Sequence, residues 1–464
     1  MTSIRSLSHP INLLFLAILL TSVTIVATLD AAVFLPIALL GSVFVFWSYR
    51  NPVVWLFSVI LMHAIFLRRT QEISPQEVFF GVYFYGYFAY WLIDSILVRG
   101  KALIMDRAGG WLLVFLFVSL VSIVIGFLNN VVPGLWFREV LITSVLFVFF
   151  PAREILRKEV GMKAVVVSLV LLSVGLAAYN LTMYTSSALA AEIYGGLLGR
   201  RQPGSVHFFF AMVVLAASVW VHGPGGTRYR SATALVFLIN AAALAATFTR
   251  GFWIAAVAAL VLLFLLAEGR KKLMLLWSTV VVAGGATAAV LAFGGLGKAA
   301  IMSLFARFVS SGEALQDVSF TNRIAESTAI IDAIFRSPFI GHGFGTSFRF
   351  FNLLVHTTVE TWYAHNGYLF LLFKVGLIGT IAFLGFYSTV LWRGFLLTRI
   401  VPVGSEKRAF VHGSWAVLAS LLVVTVTSNV FIEREPLLLI ALAGAFLINE
   451  YEGAGVQRHP PIKH

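Results

Sequence analysis

A histidine and an asparagine, His365 and Asn366, stand directly before a long apolar stretch, and there the sequence most strongly indicates chemistry. Histidine is the side chain whose unperturbed pKa lies closest to neutral pH, so it can accept a proton from an attacking hydroxyl. The pair lies within 321–379, where charged and turn-forming residues separate two strongly apolar regions. We therefore predict that His365 is a catalytic general base. The alternative is an interfacial residue whose hydrogen bonds order the loop.

Two carboxylates on the same polar stretch compete with His365 for the role of base. They are Glu360 and Asp332. Three further histidines, His342, His356 and His207, are weaker candidates because a turn or a helix-end role is available to each.

Arginines form a second group of candidate functional residues. Arg250 sits in a connection too short to leave the membrane surface, where an arginine needs an anionic partner or extends to the interface. Arg200 and Arg201 lie in a turn defined by glycine and proline, and Arg323 stands near the start of a predicted helix. A guanidinium binds phosphate oxygens bidentately, so these four residues suit a lipid pyrophosphate. The alternative is contact of unrelated arginines with lipid headgroups.

Residues around His365 are candidates for supporting roles. Trp362 and Tyr363 precede it closely and suit stacking on a sugar ring, or membership of an aromatic belt at the membrane interface. Lys374 lies about two and a half turns into the next helix, where an ammonium must pair or face a cavity. Asn366 completes this supporting set.

The sequence gives no indication of a metal ion or another cofactor. It has no Asp-x-Asp signature and no His, Asp or Glu cluster at the spacing usual for metal ligands. It also has no cysteine, which excludes disulfides and thiolate chemistry.

The composition indicates the fold class. Of 464 residues, 60% are hydrophobic and 11% are charged, and the mean hydropathy is +0.94. These values predict an all-α polytopic membrane protein with about 12–14 transmembrane helices. The candidate segments lie near 11–28, 32–48, 52–67, 78–97, 110–127, 134–151, 163–184, 205–221, 231–247, 252–267, 272–293, 366–392, 410–430 and 436–450.

The net charge of +13 is spread over short loops, which argues against nucleic-acid binding. Most of the 33 Lys and Arg residues fall on one side if the N-terminus is cytoplasmic. The positive-inside rule then predicts that both termini are cytoplasmic and that 294–364 is a large outer loop. We expect four regions: N-terminal membrane helices in 1–190, helices with outer Arg turns in 191–293, this periplasmic loop, and C-terminal membrane helices in 365–464.

The outer loop is predicted to contain an amphipathic helix that ends before Pro338. Its apolar residues at helical spacing are Ile324, Ile331, Ile334 and Phe335. The glycines that follow, Gly341, Gly343 and Gly345, allow tight turns or a close approach of the backbone to a ligand.

Several of these motifs, in this order, resemble the O-antigen ligase and polymerase superfamily over 195–380. They are Arg200-Arg201 before a small-residue turn, Thr249-Arg250-Gly251-Phe252-Trp253, Arg323, the run PFIGHGFG from Pro338 to Gly345, and His365-Asn366 followed by Leu369 and Gly376-Leu377-Ile378-Gly379.

The resemblance implies a metal-independent, inverting, C-type glycosyltransferase without cofactors, located in the bacterial inner membrane with a periplasmic active site. Its expected donor is a glycan on undecaprenyl pyrophosphate, and its acceptor is lipid A-core in a ligase or another glycan in a polymerase. Its other expected partners are membrane lipids. By family pattern, Arg200 or Arg201 and Arg323 hold the pyrophosphate, and His365 is catalytic. O-antigen ligase is the preferred prediction.

Two alternatives remain from the sequence. One is a polymerase of O-antigen or exopolysaccharide repeat units. The other is a transporter or flippase of lipid-linked sugars, although the chain has no obvious internal repeat and few ionisable residues in the middle of its helices.

Overall fold

The computed structural model describes residues 35–66, 73–101, 106–129, 131–194, 205–223, 226–275 and 318–458. Its backbone in these ranges is mostly helical, with one antiparallel β-hairpin. The chain divides into two compact units. One comprises Met1–Leu103 and Phe150–Ser168, and the other comprises Ile104–Phe149 and Leu169–His464.

The elements with defined bounds are, in chain order, α1 (Leu35–Arg50), α2 (Pro52–Phe66), α3 (Pro75–Leu92) with a π-helical extension (Ile93–Val98), α4 (Arg107–Leu128), α5 (Pro133–Ser144) with a 3₁₀ turn (Val145–Val148), α6 (Phe149–Leu156), α7 (Glu159–Tyr194), α8 (Val206–His222), α9 (Thr227–Ala246), α10 (Arg250–Leu266), α11 (Val318–Ile334), β1 (Phe348–Asn352), β2 (Thr357–Thr361), α12 (Gly367–Thr398), α13 (Glu406–Thr425) and α14 (Arg434–Arg458).

The predicted class, an all-α polytopic membrane protein, is confirmed. Within the described residues, seven helical stretches are long and apolar enough to cross a membrane, and α2, α8 and α10 are shorter apolar helices. Twelve of the predicted segments overlap helices with defined bounds. The segment at 11–28 lies outside the described residues, and only 272–275 of the segment at 272–293 is described.

The first unit has an aromatic core between α1, α2 and α3. The Trp55 ring stacks on the Tyr87 ring with centroids 3.8 Å apart. The Tyr49 hydroxyl donates to the carbonyl of Tyr83 at 2.7 Å, which satisfies a buried polar group inside this apolar packing.

In the second unit, α4 and α12 pack antiparallel. At one end Arg393 Nη1 lies 2.8 Å from an oxygen of Asp106, the residue that caps α4. At the other end the Phe344 N–H donates to the carbonyl of Ser122, and the residue before Phe344 donates to the carbonyl of Lys374. Nineteen residues separate 374 from 393, about 29 Å of helix and close to the thickness of a bilayer hydrocarbon core. The segment before 374 therefore lies near a membrane surface.

The α12 helix is broken at Gly376, whose φ of 65° and ψ of −174° are not helical. The turn after α11 fills the break with its own backbone. The Leu377 N–H donates to the Pro338 carbonyl, and the His342 N–H donates to the Phe373 carbonyl, each at 2.8 Å. Backbone groups freed inside a membrane helix must find partners within the protein, and this turn supplies them.

The glycines after α11 allow this insertion. Gly341, Gly343 and Gly345 all have positive φ, at 74°, 86° and 79°, which side chains disfavour. A Cβ at Gly343 would overlap the backbone of Gly126 in α4, and a Cβ at Gly126 would overlap the carbonyl of Phe344. These glycines therefore allow the turn after α11 to approach the backbone of α4 closely.

The amphipathic helix predicted before Pro338 is present as α11, but its apolar residues are distributed differently from a simple buried stripe. Every fourth residue is buried, namely Asn322, Glu326, Ile330 and Ile334. The apolar residues Ile324, Ile331 and Phe335 are exposed. The buried face of α11 therefore carries an acidic side chain.

Candidate active site

A β-hairpin leads the chain from α11 to His365. Strands β1 and β2 pair antiparallel, with Arg349 opposite Glu360. The side chain of Asn366 accepts hydrogen bonds from the N–H groups of Tyr368 and Leu369, both at 3.1 Å, and so caps α12. This cap fixes the chain direction at His365, one residue earlier.

The His365 imidazole contacts the carboxylate of Glu326. Nδ1 lies 2.9 Å from Glu326 Oε2, and the His365 backbone N–H donates to the same oxygen at 3.2 Å. The Glu326 side chain is 5% exposed, whereas that of His365 is 42% exposed. In the tautomer that donates from Nδ1, Nε2 is an acceptor. A buried carboxylate that orients an accessible imidazole is the arrangement expected of a general base and its positioning group.

The two competing carboxylates lie in different surroundings. Asp332 is exposed and is six residues from Glu326, which places it about 120° around α11 from the buried face. Glu360 is exposed and accepts from the Ser347 hydroxyl and from Arg349 Nε. These two contacts, first Ser347 and then Arg349, lower the pKa of Glu360, which makes it a weaker base.

The predicted phosphate-binding arginines are only partly described. Arg200 and Arg201 lie outside the described residues. Arg323 is half-buried on α11, one turn before Glu326. Arg250 is half-buried at the first position of α10 and follows a tight turn in which Phe248 has a φ of 53°. A positive φ in a bulky residue is strained and is concentrated at functional turns.

Aromatic and acidic side chains link the start of α10 to the His365 loop. The Phe252 ring meets the His207 ring edge to face at 4.7 Å. His207 Nε2 lies 3.0 Å from Glu433 Oε2, and the Tyr363 hydroxyl donates to the other oxygen of Glu433 at 2.8 Å. Tyr363 in turn meets the His365 ring edge to face at 5.3 Å. These contacts bring the start of α8, the start of α10 and the His365 loop together.

Lys374 has a structural partner below the loop. Its side chain is completely buried, and Nζ lies 2.8 Å from Glu139 Oε1 and 2.7 Å from the carbonyl of Thr346. The other oxygen of Glu139 accepts from the Gly345 N–H at 2.6 Å. Lys374 therefore joins α12, α5 and the glycine-rich turn, consistent with the expectation that its ammonium pairs inside the protein. Trp362 contacts Tyr363 edge to face.

Residues 235–384 match the family model described as O-antigen ligase. Over these residues the chain carries a domain of the O-antigen ligase and polymerase superfamily. No curated protein matches the chain. The O-antigen ligase domain contains Arg250, Arg323, Glu326 and His365, but the match begins at 235 rather than at the predicted 195, so Arg200 and Arg201 lie outside it.

The family contains glycosyltransferase-like ligases and polymerases, which supports an enzyme at the level of the family. It also implies a lipid-linked glycan and a glycan acceptor as general partners. Together with the apolar helices, the O-antigen ligase domain makes this a multi-pass membrane protein.

Sequence reasoning missed the acidic residues around His365. Glu326 lies one turn from Arg323 in the O-antigen ligase domain, but its position in the sequence did not mark it as a partner of His365. Glu433 and Glu435 flank Arg434 in the sequence, and both glutamates are buried while the Arg434 side chain is only 12% exposed. A signal was available only for Glu433 and Glu435, which stand next to a long apolar segment.

Proposed function

We propose that this protein is an inverting, metal-independent glycosyltransferase that moves a glycan from undecaprenyl pyrophosphate to lipid A-core, as an O-antigen ligase does. The observation that carries this proposal is the contact between His365 and the buried Glu326 within the O-antigen ligase domain. That pair suits removal of a proton from an acceptor hydroxyl at a membrane surface.

In the proposed reaction, Nε2 of His365 takes the proton as the acceptor oxygen attacks the anomeric carbon of the donor glycan. The bond from that carbon to the pyrophosphate oxygen breaks, the configuration inverts, and lipid pyrophosphate leaves with the electron pair. Glu326 stabilises the imidazolium that forms, as a carboxylate does beside a catalytic histidine. The arginines at 250 and 323, with 200 or 201, are proposed to stabilise the charge on the leaving group.

Arginine substitutions test the pyrophosphate part of the proposal. Arg250→Lys and Arg323→Lys are expected to lower transfer about tenfold or more at wild-type protein levels, because an ammonium cannot reproduce a bidentate phosphate contact. Arg349→Lys is the matched control, since Arg349 is exposed and pairs with Glu360 on the hairpin. Initial rates with lipid-linked glycan are the measurement. Near wild-type rates for both test variants would assign those arginines to headgroup contact.

The sidedness of the site is tested with single cysteines, because the chain has none of its own. Ser347→Cys, on the exposed approach to β1, is expected to react with an impermeant thiol reagent added outside spheroplasts. Val403→Cys, in the exposed turn between α12 and α13, is expected to react only after permeabilisation. The reverse pattern would put the His365 loop in the cytoplasm and exclude a periplasmic reaction.

A deletion strain tests the choice of acceptor. Loss of every cap on lipid A-core is the result expected of a ligase, and caps shortened to one repeat unit would indicate a polymerase instead. A normal distribution of caps, with lipid-linked glycan trapped on the cytoplasmic side, would indicate a flippase.

A further inference from the structure

Outside the residues that match the O-antigen ligase model, His207, Glu433 and Glu435 form a buried polar cluster. One ligand atom from each lies within 4.8 Å of the others, and all three side chains are buried. His207 opens α8, and the two glutamates flank the start of α14. Arg434 Nε contacts Glu435 Oε1.

The spacing of these atoms fits two different occupants, a divalent cation or a proton. Histidine with two carboxylates is a common donor set for Zn²⁺ or Mn²⁺. Here, however, the two glutamates face different nitrogens of the same ring. Nε2 lies 3.0 Å from Glu433, and Nδ1 lies 3.7 Å from Glu435. A metal ion bound at one nitrogen would leave the other nitrogen facing a carboxylate, whereas an imidazolium carries an N–H on each side of the ring.

The balance of charge in the cluster also favours a proton over a divalent cation. Two carboxylates, the Arg434 guanidinium and a protonated His207 together have no net charge. A divalent cation with neutral His207 would leave the buried group with a net positive charge, and uncompensated charge away from water is costly.

The cluster reaches the proposed base through Tyr363. The Tyr363 hydroxyl donates to the Glu433 oxygen that does not face His207, and the Tyr363 ring meets the His365 ring edge to face, with an interplanar angle of 87°. The carboxylate of Glu326 contacts the imidazole at Nδ1. Two residues therefore contact the same imidazole in different ways. Tyr363 packs against the ring, and Glu326 contacts the ring nitrogen Nδ1.

We propose that Tyr363 is a positioning residue for His365, and that a protonated His207 held between Glu433 and Glu435 keeps Tyr363 in place. The proposal deepens the proposed function and rests on it for its catalytic consequence. The structural part, that this cluster controls the environment of His365, is testable without any glycan substrate.

The test measures the reaction of His365 with diethylpyrocarbonate by mass spectrometry in the full-length protein in nanodiscs. His356, exposed at the tip of the hairpin, is the internal reference. Tyr363→Phe keeps the ring and loses the hydroxyl, and Glu433→Gln keeps an acceptor and loses the charge. Tyr368→Phe is the matched control, because Tyr368 donates to the carbonyl of Leu422 instead.

We expect the His365 to His356 rate ratio to change about threefold or more in Tyr363→Phe and in Glu433→Gln, and to stay at the wild-type value in Tyr368→Phe. Transfer assays should show kcat reduced about tenfold in Tyr363→Phe with KM within about twofold, because a misplaced base slows chemistry without loosening the donor. A purely structural role would lower the yield of folded protein and leave kcat per folded enzyme unchanged.

Unchanged rate ratios in both variants would overturn the positioning role even if the wild type transfers glycan. About one zinc or manganese per chain in the purified wild type, lost in His207→Gln, would overturn the proton assignment. If the wild type transferred no glycan but the ratios changed as expected, the proposed function would fail while the link from the cluster to His365 stood.

Discussion

Replacing His365 with alanine is expected to slow glycan transfer by about 10²–10⁴-fold while the protein still folds, inserts and binds lipid pyrophosphate. The reason is that the imidazole is 42% exposed and its partner Glu326 is on another element, so its loss removes a proton acceptor without opening the core. Rates at saturating donor, together with a donor-binding measurement on the same preparation, give the result. Equal loss of donor binding and transfer would contradict a role confined to chemistry.

Three carboxylate variants separate the candidates for the base. Glu326→Gln is expected to lower the rate by about 10-fold to 100-fold, because an amide can still accept from Nδ1 but no longer stabilises the imidazolium. Asp332→Asn and Glu360→Gln should stay close to the wild type, since Asp332 is exposed and away from the buried face of α11, and Glu360 pairs with Arg349. An inactive Asp332→Asn or Glu360→Gln beside an active His365→Ala would transfer the base role to that carboxylate.

Breaking the ion pair beneath the loop is expected to have the largest effect on stability. Lys374→Met leaves the buried Glu139 carboxylate without its cation, and removing one partner of a buried pair costs about 3–5 kcal/mol. The double variant Lys374→Met with Glu139→Gln should recover much of that loss, because no charge is then left buried. Thermal unfolding in detergent, followed by fluorescence, is the measurement.

Arg349→Met provides the matched control for that experiment. It also breaks a lysine- or arginine-to-glutamate pair, but both side chains are largely exposed, and exposed pairs contribute little to stability. Its midpoint should equal the wild-type value. If Lys374→Met unfolded at the same temperature as Arg349→Met, the ion pair between α12 and α5 would not hold the glycine-rich turn.

Most of the helical architecture was predictable because membrane helices need long apolar segments. In this sequence, polar and turn-forming residues separate those segments. Asn366 stood directly before an apolar segment, and it caps the helix that begins at Gly367. The positive φ values at Gly341 and Gly343 likewise follow from residue type. These features depend on local sequence, where length, polarity and backbone preference decide the outcome.

The contacts of the candidate site were not predictable in the same way, because they join residues far apart in the chain. Glu326 and His365 are 39 residues apart, and Lys374 and Glu139 are 235 apart. Helical periodicity showed that α11 is amphipathic, but it could not show that the buried face would be the one carrying Glu326. Hydropathy likewise treats a glutamate at a helix end as solvated, whereas Glu433 is buried against His207.

The break of α12 at Gly376 is a backbone feature that could not be predicted from the sequence, because it also depends on residues far apart in the chain. The apolar run across it predicts one continuous helix, and the sequence alone does not show that the turn at Pro338 supplies the missing partners. The packing of α4 against the glycine-rich turn, through Gly126 and Gly343, helps to hold that turn at the break.

The most direct measurement of the central claim is a single assay with purified protein in nanodiscs, undecaprenyl-pyrophosphate-linked glycan and lipid A-core, in the presence of EDTA. The wild type is expected to produce glycosylated lipid A-core with an inverted anomeric linkage and to release undecaprenyl pyrophosphate, and His365→Ala is expected to do so at least about 10²-fold more slowly. Wild-type protein that binds the donor but transfers no glycan to lipid A-core or to a second glycan, or a His365→Ala variant that transfers at the wild-type rate, would contradict the account.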